Sequence, residues 1–401
     1  MIMKKTNKRF TAFLLVLLLL PAISLFAVDF GLLLDQTVAY DDGVFSTGIA
    51  VPWFSALLSD TADLHVSAGF TKEYRDNEWT FIPELLRTEL RFQWNRSDLT
   101  MGRMVYTDPL AFVAHGLFDG ARMGVDLGSS SLWIGAWYTG LLYKDSAKIT
   151  MTNSDMEAFL RKLDFSDFAN TYFASRRLIT AVDWEHPGVA ELFRLRLAFI
   201  CQFDLNNTDN GGLHSQYLMT RFGIPIQNFV IDLGACVSLI QYDGNNQISF
   251  AGLAGIGFPT PAPFHDRLSL SWRFAGGTVG DNIVAFVPIT KIPQGNILEA
   301  KLSGITMLRL DYTVRLHETF SLSIFNSYFI LNDKGTFTGL SSGVAEGFFL
   351  GNEFWCQAIW SPFSDLQLRL GGGVFLPALG NADPSASNHW KVELNAVFAL
   401  F

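Results

Sequence analysis

Charge is scarce in this chain. Lys, Arg, Asp and Glu make up 17% of its 401 residues, against roughly 25% in soluble globular proteins. Long apolar runs are scarce too. After Leu20 none reaches the roughly 20 residues that a membrane helix needs, although 49% of the chain is hydrophobic and 14% aromatic. The first absence argues against an ordinary soluble domain, the second against a helical membrane protein. Cysteine is nearly absent. Cys201, Cys236 and Cys356 stand far apart, odd in number and without metal-ligand spacing, so neither a disulfide framework nor a metal site is expected. No Gly-x-Ser-x-Gly, His-Glu-x-x-His or phosphate loop occurs. The histidines are scattered, with His186, His265 and His317 in turn-like stretches. No enzyme and no cofactor are expected. Basic residues cluster only at the N-terminus and the net charge is −9, which speaks against a nucleic-acid surface.

What is present begins with a leader. Lys4, Lys5, Lys8 and Arg9 precede an apolar run from Phe10 to Leu20, then Pro21 and small residues at Ala22, Ser24 and Ala27. This is the layout of a secretory signal peptide. Residues 1–27 are read as that signal and 28–401 as one exported domain. A hydrophobic exported chain without membrane helices points to a closed β-barrel.

Strict alternation supports this. In Val189 to Leu205, Phe193, Leu195, Leu197, Phe199 and Phe203 share one face, and Arg194, Arg196, Gln202 and Asp204 the other. Thr306 to Leu316 sets Leu308, Leu310, Tyr312, Val314 and Leu316 against Arg309, Asp311, Thr313 and Arg315. Leu86 to Trp94 repeats the pattern with Arg87, Glu89, Arg91 and Gln93 opposite Thr88, Leu90, Phe92 and Trp94. A strand presents alternate side chains to opposite faces. In a soluble sandwich the apolar face would be a core; in a membrane barrel it meets lipid and the polar face lines the lumen.

Three features favour the barrel over a soluble secreted β-protein. Several segments alternate for longer than the usual 5–6 residues, and a tilted membrane strand needs about 9–11. Tight turns are expected at Ser59-Asp60-Thr61, Asn95-Arg96-Ser97, Ser129-Ser130, His186-Pro187-Gly188, Pro225-Ile226-Gln227, Phe264-His265-Asp266, His317-Glu318 and Ser361-Pro362-Phe363. Longer connections, near 106–119, 145–174, 276–300, 332–346 and 376–388, mostly separate them. Trp residues gather towards strand ends, as in interfacial girdles. The expected fold is all-β: an antiparallel up-and-down transmembrane barrel of about eighteen strands, with short periplasmic turns and long extracellular loops. Its setting is the outer membrane, with lipid against the apolar faces.

The last segment, "WKVELNAVFALF", alternates Val392, Leu394, Ala396, Phe398 and Leu400 against Lys391, Glu393 and Asn395. It resembles the closing strand of such barrels, whose terminal aromatic, here Phe401, is read by the barrel-assembly machinery. Phe401 falls in phase with Lys391 and Glu393, one residue out of the usual register.

By alternation Arg87, Arg91, Arg103, Arg122, Arg177, Arg194, Arg196, Arg221, Arg273, Arg309, Arg315 and Arg369 lie on polar faces. Each would cost roughly 2–4 kcal/mol at the bilayer midplane on the lipid face. Glu89, Asp183, Glu185, Asp204, Asp232, Asp311, Glu353 and Glu393 share the polar side. The two signs can pair across the wall, or surplus Arg can draw anions through, since guanidinium binds carboxylates two-pronged. In the longest loop, Ser154-Asp155-Met156-Glu157 matches a capping box, and Met156, Phe159, Leu160 and Leu163 follow at helical spacing. A short helix there, packed into or over the mouth, would constrict the pore; equally it would lie on the rim or bind a partner subunit. The expected function is passive diffusion of small solutes, anionic or sugar-acid among them, through an Arg-lined lumen. The alternative is a structural barrel with a closed lumen and adhesive or partner-binding loops.

Two stretches carry a family resemblance. "GRMVYTDPLAFVAHGLFDGAR", with Gly102-Arg103 and Phe118-Asp119-Gly120-Ala121-Arg122, and "LGNEFWCQAIWSPFSDLQLRLGGGVFLP", Leu350 to Pro377, resemble motif regions of the alginate-export outer-membrane porins. The resemblance implies an eighteen-stranded barrel with an Arg-rich lumen for acidic polysaccharide or other anions. It singles out Arg103, Arg122 and Glu353. The acidic residue that the family pattern has after Glu353 is replaced here by Phe354 and Trp355.

Overall fold

The computed structural model describes residues 27–400 apart from 76, 207–211, 261–264, 281, 336–344 and 384. The expected signal peptide and Phe401 thus lie outside the described residues, save Ala27, which opens the first strand. The alternating segments become β1 (Ala27–Asp41), β2 (Val44–Ser59), β3 (Ala62–Arg75), β4 (Glu78–Trp94), β5 (Ser97–Thr107) and β6 (His115–Asp126). There follow β7 (Ser131–Tyr138), β8 (Arg177–Val189), β9 (Phe193–Asp204), β10 (His214–Ile226), β11 (Phe229–Tyr242) and β12 (Asn245–Pro259). The last are β13 (His265–Ala275), β14 (Ile305–His317), β15 (Phe320–Leu331), β16 (Phe349–Phe363), β17 (Leu366–Leu376) and β18 (His389–Leu400). Each pairs antiparallel with its neighbours in sequence, and β18 closes on β1 from Leu32↔Leu400 to Asp41↔Lys391. The result is a closed 18-stranded up-and-down barrel.

The pleat sorts the side chains. Phe54, Phe70, Leu85, Ile134, Phe199, Leu218, Val237, Leu310, Phe354 and Leu394 are exposed on the outer surface. In water each would forgo roughly 1.5–3 kcal/mol of burial, so this band calls for lipid. Trp79, Trp94, Trp360 and Trp390 are exposed near strand ends, as a girdle requires, but Trp137 and Trp355 are buried inside.

Two expected turns fall wholly inside strands, and two more for the most part: Pro225-Ile226 end β10 and His265-Asp266 open β13, with Phe264 outside the described residues. β8 runs through His186-Pro187-Gly188 and β16 through Ser361-Pro362-Phe363, with register slips at His186/Val189 and Trp360/Phe363. A bulge tolerates proline because the missing N–H had no ladder partner to serve. The chain reverses instead at 190–192 and 364–365.

Candidate functional site

The lumen is shaped by a hairpin that leaves the wall. β3 pairs with β4 along its whole length, yet β5 stops pairing with β4 at Thr88↔Arg103. Gly102 makes the departure possible. Its φ is +110°, and a Cβ there would lie 1.7 Å from the Thr88 carbonyl oxygen. Only glycine fits both conditions. Beyond it Met104, Tyr106 and Phe118 are buried inside the barrel. Tyr106 stacks on Trp137 at 4.4 Å, and its hydroxyl meets Asp183 at 3.3 Å.

A departing strand leaves an edge with unpaired carbonyls. Arg103 serves that edge. It donates to both Asp119 oxygens at 2.8 Å, to Leu141 O at 2.9 Å and to Leu85 O. Tyr172 donates its hydroxyl to Pro83 O at 2.7 Å. With its side chain 4% exposed, Arg103 fastens the wall and offers little charge to a solute.

The hairpin tip, residues 108–114, crosses to the far wall. Asp108 accepts backbone N–H bonds from Leu110, Phe112, Val113 and Ala114 at 2.8–3.1 Å. Burial pushes its carboxyl above the usual range, and these N–H groups oppose the shift. Across the lumen Arg221 donates to Pro109 O at 2.7 Å, and Arg273 lies 5.9 Å from the Phe112 ring. A second connection, 276–304, folds in against the tip. Ile289 and Thr290 donate to Val113 O at 2.8 and 3.0 Å, and His115 N donates to Thr290 Oγ1 at 2.9 Å. Glu353, 1% exposed, accepts from the backbone of Asn296, Ile297 and Leu298 at 2.8, 3.0 and 3.0 Å. Lys391 donates to Asn296 O and Glu299 at 3.0 Å. Phe112, Phe286, Ile289, Leu302 and Phe329 pack together beneath these bonds. The barrel interior thus holds an apolar core, where alternation alone suggests a polar bore.

The helix expected in the long loop is present over Asn153–Leu160. Its box is formed two residues earlier, by Thr152 and Asp155: Asp155 Oδ2 accepts from Thr152 N at 3.0 Å and Thr152 Oγ1 at 2.9 Å. Asp155 is also held by the buried Arg177, which binds Asp204 as well. That triad ties the helix to the first residue of β8 and the last of β9, at the rim. Met156 and Leu160 are 40% and 71% exposed. Phe159 sits 5.9 Å from both Lys144 and Lys291 Nζ, and Leu163 packs on Ile82, Tyr143 and Tyr172. These four residues border the mouth. Residues 108–114 and 286–298 do the narrowing.

The inward arginines divide into two sets. Arg87 grips Glu89 at 2.8 and 2.7 Å, Arg194 and Arg196 reach Glu185 at 2.7 and 3.4 Å, and Arg309 meets Asp311 at 2.6 Å. Arg221 binds Asp232 at 2.8 Å. These are wall pairs. In the other set, Arg91 lies 4.0 Å from Glu89 and Arg315 donates to Glu318 O at 2.8 Å. Arg122, Arg273 and Arg369 leave Nε without a partner among the described residues. The alternation placed all of these on the inner face. It did not reveal Asp108, Thr290 or the inward loops. A cue was present: Leu110-Ala111-Phe112-Val113-Ala114 is too apolar for a solvated loop.

No family model matches the chain, and no curated protein resembles its sequence. The fold does have solved counterparts, among them three from Pseudomonas aeruginosa. OccK11 (OpdR) aligns at TM-score 0.60 and 12% identity, over 93% of this chain and 96% of that one. OpdK, solved with vanillate, aligns at 0.65 and 10%, over 93% and 98%. OccK2 (OpdF), in complex with glucuronate, aligns at 0.62 and 12%, over the same shares. At these identities the likeness is one of fold. What they share with this chain is the barrel, here closed by eighteen antiparallel strands, and none of these three is an alginate-export porin.

Proposed function

We propose that the chain is an outer-membrane channel for passive diffusion of small solutes bearing a carboxylate. The observation that carries this is a lumen narrowed by inward loops and bordered by arginines without firm acid partners: Arg91, Arg315 and Arg369. A ring of such charge biases a pore towards anions. Two solved relatives hold carboxylates, vanillate in OpdK and glucuronate in OccK2, which supports the same class here. Export by the N-terminal leader, assembly through β18 and Phe401, and the absence of an enzymatic role belong to this reading. The positions singled out by the alginate-export likeness fit it less well, because Arg103 and Glu353 anchor backbone.

The test is single-channel recording of refolded protein in a planar bilayer under a KCl gradient. Steady conductance with anion preference is expected. Replacing Arg91, Arg315 and Arg369 by Gln should move the reversal potential towards the cation side. A second reading, a closed barrel with binding loops, draws on the apolar packing inside the lumen and on Phe165 and Leu160 exposed at the mouth. A folded barrel without conductance favours it.

A further inference from the structure

One side of the remaining lumen is apolar. Leu33, Val51 and Trp53 face inward from β1 and β2, where an aqueous bore would call for polar side chains. Val105 and Leu117, a directly paired couple on the inward hairpin, face them across a cavity of about 470 Å³. Val105 is 51% exposed although its hairpin lies inside the barrel, so the space in front of it is open. Trp53 forms a flat floor. A Cβ on Gly31 would fall 2.8 Å from its ring, so the indole lies flush on β1. His65 stacks on it with centroids 6.0 Å apart and planes 22° apart. Arg87 also lines the cavity, and Glu89 engages only its Nε and Nη2.

We infer that this cavity is a subsite for the apolar body of a monoanionic solute, so that aryl and alkyl carboxylates are held in preference to hydroxylated sugar acids. The inference rests on the channel reading above. A ring or branched chain would lie on Trp53 against Val51, Val105 and Leu117, with its carboxylate towards the open Nη1 of Arg87. Aromatic and aliphatic surface is stabilised by such contacts. A sugar acid would set several hydroxyls against a surface that is mostly aliphatic and aromatic, where His65, Ser67 and Arg87 are the polar side chains within reach, and most would lose their water uncompensated.

The experiment is current interruption in single channels by benzoate, cyclohexanecarboxylate and glucuronate, which share the carboxylate and differ in the body. The first two should interrupt the current at roughly tenfold lower concentration than glucuronate, about the effect of one good aromatic contact. Trp53→Ala and Val105→Ser should each shrink that gap. Phe54→Ala, on the lipid side of the same strand, should keep it. Val105→Ser sits on the hairpin and keeps the test open should Trp53→Ala fail to fold. Equal potency of the three probes, or a gap that survives both inward replacements, overturns the subsite while anion preference stands. Loss of conductance or of anion preference in the unaltered protein removes the channel reading, and the subsite with it.

Discussion

Asp108 accepts from four backbone N–H groups of one loop, at a place cut off from water. Asp108→Ala leaves those donors buried and unpaired, at about 1–3 kcal/mol each. The wall ladders are untouched, so the expected outcome is release of residues 108–114 from the lumen with the barrel intact. Conductance should rise while the thermal transition of the barrel moves little. An unchanged conductance would sink the claim that this tip narrows the pore. Arg103 and Glu353 teach the complementary lesson. For Glu353 the strand phase gives the inner face; for Arg103 it does not, because Arg103 pairs with Thr88 and takes the outward phase of Leu90 until the hairpin carries it inside. What stands opposite each side chain was not legible, because the partners Leu141 O and Asn296 N come from distant connections. Phase is a local property and partnership is not.

At the level of the element, the strands were legible because alternation and lipid impose one rule on every residue. Errors gathered where a second rule intervened, at the prolines of β8 and β16, which bulges absorb. The inward turn of β5 and β6 was hidden for a different reason. It depends on one backbone conformation, at Gly102, and on a seat more than a hundred residues away. Gly102→Ala should therefore be severe. It places a methyl group against the Thr88 carbonyl at a φ that L-residues rarely adopt. Much less of the variant should reach the heat-modifiable, compact form on unboiled SDS gels. Assembly at the level of the unaltered protein would mean that the hairpin does not need this kink.

For the whole molecule, the field in the lumen is the sum of paired and unpaired charges inside a chain of net charge −9. Screening lengths fall from about 10 Å at 0.1 M salt to about 3 Å at 1 M. Anion preference set by the lumenal arginines should accordingly weaken between those concentrations, read as a falling permeability ratio at a fixed gradient. A preference independent of salt would point to pore size as the cause. The inward loops also bear on time. His115 is bonded to Thr290, Arg221 to Pro109, and Lys391 to Asn296, and β1 must wait for β18. Contacts so distant along the chain form late. The contacts inside the lumen span 95 to 175 residues, while β1 and β18 meet across about 360, so the interior is furnished before the wall is sealed. On the channel reading, a nascent molecule would hold its constriction before it held a continuous wall, so no wide, unselective pore would precede the finished one.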